Sequence, residues 1–112
     1  MAEDAFLEAL TVLETVLADN ADRAKLIKRR IARLRASRAK GMLYTESVIS
    51  EDGPLIVQLV TDSATELDTC GAEVRRTEAQ ALHDEGLTMA QIAERFGVTR
   101  QRVSTLLRQA RA

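Results

Sequence analysis

Two short apolar stripes with a glycine between them, close to the C-terminal end, constrain this chain more than any other feature. Met89, Ile92, Ala93 and Phe96 recur at three- and four-residue spacing, then Gly97 intervenes, then Val98, Val103, Leu106 and Leu107 take up the spacing again. That pattern predicts two short amphipathic helices joined by a tight turn. Thr88 and Gln91 stand three apart, as in a capping box, so the first helix is expected to begin at about Met89. Gly97 supplies the left-handed turn that ends it, and Thr99 is placed to cap a second helix starting at Arg100.

These residues resemble the helix-turn-helix of bacterial DNA-binding proteins. The resemblance lies in small Ala93 at the helix crossing, Gly97 in the turn, Val98 just after it, and Val103 and Leu106 as core positions of the second helix. The run from Val98 to Arg102 is similar to region four of bacterial sigma factors, and the whole unit also resembles the DNA-binding domains of resolvases and invertases. It covers only about the last third of the chain. The resemblance implies that the second helix enters the major groove of a duplex.

With Val103, Leu106 and Leu107 turned inward, a step of about 100° per residue puts Gln101, Thr105 and Arg108 opposite, with Ser104 and Arg102 on the flanks. The expected base contacts are Arg100, Gln101, Ser104 and Thr105, because Arg pairs well with guanine and Gln with adenine. Thr88, Gln91, Arg95, Thr99, Arg102 and Arg108 are expected at phosphates. A plain helical hairpin with a solvated arginine face is the bland alternative. The caps, the turn glycine and the outward Arg/Gln/Ser/Thr surface together favour the DNA reading.

A length of 112 residues leaves room for one domain, or two very small helical ones. Aromatic residues make up 3% of the chain and proline occurs once, so an all-α fold is expected. The net charge of −1 would argue against a nucleic-acid partner if charge were evenly spread. It is not. Residues 1–20 carry five acids and no base, residues 21–40 carry nine bases and one acid, and residues 41–72 carry six acids and no base. Residues 88–112 carry five bases against one acid, the electrostatic footprint a DNA-reading end requires.

From Glu3 to about Ala18, Phe6, Leu7, Leu10, Leu13, Val16 and Leu17 predict a first amphipathic helix. Asp19-Asn20-Ala21-Asp22 reads as a stop and restart, followed by a second helix from about Asp22 to Ala39 that carries Ile27, Ile31 and Leu34 and ends at Gly41. An acidic helix, a basic helix and a short connection predict an antiparallel hairpin with complementary rims. In that arrangement Arg29, Arg30, Arg33, Arg35, Arg38 and Lys40 are expected to be neutralised inside the protein more than spent on DNA.

Residues 42–53 break the pattern and are expected to form a loop or short helix. Asp52 and Pro54 mark the entry to a long helix reaching Asp84 and stopping at Gly86, with Gly71 as the place for any bend. Val60, Leu67, Val74 and Ala81 stand seven apart and permit a helix–helix seam. Val74 to Leu82 would be the first helix of a three-helix DNA-binding unit. The expected division is thus residues 1–53, for dimerisation or partner binding, and 54–112, the long helix with its helix-turn-helix.

No constellation for catalysis, metal or cofactor is expected. The chain has one His and one Cys, and His83 reads as a helix C-terminal residue while Cys70 reads as small and buried or half-buried. No secretory leader and no membrane-length apolar run are expected, which suits a cytoplasmic, nucleoid-associated protein. A single reader with few cations binds weakly, so a homodimer on double-stranded DNA is expected. The alternative is an adaptor of the transcription machinery whose helix-turn-helix packs on a protein partner.

Overall fold

The structure, a computed structural model, describes residues 4–50 and 53–111, with side chains as far as Gln109. Helices α1 (Ala5–Ala39), α2 (Tyr44–Ile49), α3 (Ile56–Asp84), α4 (Met89–Phe96) and α5 (Arg100–Arg111) follow one another, and no strand occurs among the described residues. The fold is all-α, as the composition requires.

The N-terminal helical hairpin does not form. α1 is one helix of 35 residues that runs straight through Asp19-Asn20-Ala21-Asp22. Asn and Asp stop a helix when their side chains take up backbone N–H groups of the next turn. Here the Asn20 Oδ1 atom accepts instead from Arg23 Nη1, at 2.6 Å. With Ala18, Ala21 and Ala24 nearby and no Gly or Pro, continuing the helix is favoured over restarting it.

Arg23 then reaches α3. Its two terminal nitrogens donate to the two Glu66 carboxylate oxygens at 3.2 Å each, and Nη1 also lies 3.2 Å from Ser63 Oγ. The hydrogen bond to Glu66 holds the guanidinium above its ordinary pKa against some desolvation, so the fork stays charged throughout the accessible pH range. A partly exposed bridge of this kind sets register more than it adds stability.

The ends of the other helices follow from local chemistry. Asp4 Oδ1 accepts from Leu7 N–H at 3.1 Å and caps α1. The expected start at Glu3 and the expected cap at Asp52 lie outside the described residues. Residues 44–49 form the short helix α2, where buried Ser47 donates to the Leu43 carbonyl at 3.2 Å. α3 starts at Ile56, two residues later than expected, because Gln58 Oε1 folds back to accept from Leu55 N–H at 3.0 Å and makes Leu55 the boundary. It passes Gly71 unbroken. At its end the Leu87 and Gly86 N–H groups donate to the Leu82 and His83 carbonyls at 3.0 and 3.1 Å, the paired closure that stops a helix at a glycine.

The chain divides into two units, one drawn from residues 1–14 and 68–112 and the other from 15–67. The first holds the larger apolar core: Ala79, Ile92, Ala93, Val103, Leu106 and Leu107 are buried together, with Leu82, Leu87, Met89 and Phe96 packed against them. In the second, Leu59, Ser47 and Arg30 are buried, and Arg30 Nη1 donates to the Pro54 carbonyl at 2.8 Å, pinning the connection before α3 to α1. Cys70 is buried, as its spacing suggested. Among the described residues no helix is long and apolar enough to cross a membrane.

Candidate nucleic-acid interface

Local signals in the sequence fix the turn between α4 and α5. Thr88 Oγ1 accepts from Gln91 N–H at 3.1 Å while Gln91 Oε1 accepts from Thr88 N–H at 2.9 Å, so both halves of the capping box are present. α4 ends at Gly97, whose φ of 69° is left-handed, and Val98 N–H closes onto the Ala93 carbonyl at 3.0 Å. Thr99 Oγ1 then accepts from Arg102 N–H at 3.1 Å and opens α5. Three hydroxyl or amide caps and one glycine therefore set the crossing of the two helices.

Ile92 and Val103 are 0% exposed and Leu106 is 2% exposed, which fixes how α5 is rotated about its axis. The opposite side is open. Arg100, Gln101 and Arg108 are exposed, with Ser104 and Thr105 half-buried beside them. Val98, expected in the inward stripe, is 39% exposed, because it follows the turn directly and its side chain stays at the rim.

The ten side chains singled out in the sequence do not all have the same freedom. Gln101, Thr105 and Arg108 share the outer face of α5: the Thr105 hydroxyl donates to the Gln101 carbonyl at 3.1 Å and accepts from Arg108 Nη2 at 3.3 Å. Thr105 thus has its proton committed, and offers chiefly its methyl group and a spare lone pair. Arg100 and Gln101 occupy the first turn of α5, with their side-chain donors uncommitted among the described residues. Gln91 and Arg95 lie exposed on the outer side of α4. The capping role of Gln91 uses its oxygen and leaves its NH2 group to donate outward. Thr88 and Thr99 are exposed, each spending an oxygen lone pair on a cap.

Arg102 lies apart from the outer face. It lines a groove of about 410 Å³ with Arg75, Glu78, Phe96, Val98 and Leu106, and so stands beside α3. Exposed Arg75, which shares this groove with Arg102, was not among the residues singled out in the sequence. Its signal was present in the sequence, since Val74 to Leu82 was placed in the DNA-binding unit, but which side of that helix faces α5 is a tertiary fact. Arg95, Arg100, Arg102 and Arg108 make no ion pair among the described residues, and Glu94 is the single acid between residues 88 and 112. The surface is left with a positive field.

A capped helix, a left-handed glycine turn and a second helix whose polar side stays open to solvent, framed by unpaired arginines, define a DNA-binding helix-turn-helix. Residues 74–112 match the family model described as sigma-70, region 4, so the C-terminal unit is sigma region-four-like. That family is DNA-binding and not enzymatic. Neither a curated protein nor a solved structure matches the chain significantly. Among the described residues no group of His, Cys, Asp and Glu is arranged to hold a metal ion.

Proposed function

We propose that the chain is a small, dimeric, sequence-specific double-stranded DNA-binding regulator that reads the major groove with α5. The observation that carries this is the asymmetry of α5: Val103, Leu106 and Leu107 fill the core while Arg100 and Gln101 stand exposed and unpaired in the first turn. Arg100 and Gln101 are the principal base contacts, with Ser104 and the Thr105 methyl group beside them. Gln91, Arg95, Arg102 and Arg108 hold phosphates, helped by the hydroxyls of Thr88 and Thr99, and Arg75 joins Arg102 in that role. Residues 1–53 serve dimerisation or partner binding, so that two α5 helices meet half-sites about one helical turn apart, or a multiple of it.

Selection of bound duplexes from a random pool, followed by titration of the best site, tests the reading. Arg100→Ala and Gln101→Ala should each weaken the selected site by about 1–3 kcal/mol and relax preference at one base pair, with the protein still folded. Binding unchanged in both variants would assign the unit to a protein partner instead.

A further inference from the structure

Residues 23–40, the C-terminal half of α1 and the residue that follows it, contain nine Lys or Arg residues and no acid. A hairpin would have laid the acidic residues 4–19 beside them, but both segments belong to one continuous helix, in which they follow each other end to end. Arg23 is used by Glu66 and Arg30 is buried at Pro54. Lys25, Lys28, Arg29, Arg33, Arg35 and Lys40 are exposed and make no ion pair among the described residues. Lys25, Arg29 and Arg33 recur every fourth residue on the side opposite half-buried Ile27, Ile31 and Leu34. They form a straight row with about 6 Å between neighbours, which Lys40 extends to about 22 Å.

The helix dipole does not explain the row, because its influence fades within the last turn and reaches only Arg38 and Lys40. Like charges at four-residue spacing destabilise a helix slightly, and no ion pair among the described residues offsets this row. We infer that this face of α1 is a second DNA-binding surface, one that takes the phosphate backbone and is blind to sequence. The inference rests on the DNA-binding reading for the identity of the polyanion, though not on α5 being the reader. A second copy of this chain is the less suitable occupant, because its acids are divided among separate segments, five in residues 1–20 and six in residues 41–72. A duplex carries a charge for roughly every 1.7 Å of its length, more than one for each cation of the row, so it can engage the whole row at once.

The test is fluorescence-anisotropy titration of the full chain, at several salt concentrations, with the selected duplex and with a scrambled duplex of equal length. The triple variant Lys25→Ala, Arg29→Ala, Arg33→Ala should lower the slope of log affinity against log salt by about 2.7 per protomer. A fourfold rise in salt would then weaken the variant about 40-fold less than the wild type. Both duplexes should respond alike, their affinity ratio should hold, and Lys25→Arg, Arg29→Lys, Arg33→Lys should restore the slope. An unchanged slope in a variant of wild-type helicity overturns the inference. So does loss of self-association without DNA accompanied by an unchanged slope, which would give the row to a second copy. Arg100→Ala separates this claim from the reading of α5, because it should lower discrimination between the duplexes while leaving most of the slope.

Discussion

Single side chains in the C-terminal unit have clear and different tasks. At Gly97 a methyl group would meet nothing within 4 Å, so space is not what selects glycine there; the φ of +69° is. Gly97→Ala should therefore destabilise by about 1–2 kcal/mol through backbone conformation alone, readable as a shift in the urea midpoint without change in slope. Leu106→Ala acts through packing. The side chain is 2% exposed within the Ile92–Val103 cluster, and truncation should cost about 2–5 kcal/mol, checked by the same denaturation curve. Thr88, Gln91, Gly97 and Thr99 were legible in the sequence because caps and left-handed turns are rules about neighbours three or four residues apart. The engagement of Thr105 with Gln101 and Arg108, and the place of Arg75 beside Arg102, were not legible. Both depend on which rotamer and which helix face the packed unit selects.

Among the elements, α1 teaches the most. Its Asp19-Asn20 pair has the composition of a cap, and a cap at that point would have made two helices of one. What decides otherwise is a contact 43 residues away in sequence, since Arg23 both occupies Asn20 and grips Glu66 on α3. Capping propensity of about 1 kcal/mol is easily outweighed when the uninterrupted helix gains a second helix to lie on. Ala21→Pro discriminates between the two arrangements. Inside a continuous helix it removes a hydrogen bond and clashes with the preceding turn, for a loss of about 3 kcal/mol or more. At a hairpin turn it would be nearly neutral. Thermal unfolding followed by far-ultraviolet circular dichroism measures the difference. α3 was readable almost to its ends because its apolar periodicity outlasts Gly71, while its start was displaced by the side chain of Gln58 folding onto Leu55.

For the whole molecule, charge is the organising quantity. A net of −1 conceals a basic helix-turn-helix at residues 88–112 and a second basic stretch at 23–40, separated by acidic segments. The segment totals were plain in the sequence, but whether the second stretch was neutralised depended on the path of α1. One reader with a handful of arginines has little affinity at physiological salt, and pairing two copies makes the second contact intramolecular. Sedimentation at micromolar concentration should accordingly give a mass of two chains, and a monomer would remove the two-fold arrangement while leaving the reader itself in place. The most direct measurement concerns the groove that α5 enters. Dimethyl sulfate methylates guanine N7, which lies in the major groove, so bound wild-type protein should shield specific guanines of a selected duplex and Arg100→Ala should unshield one of them. Retention of the duplex with every N7 still reactive, or an identical pattern in the variant, would contradict recognition through α5.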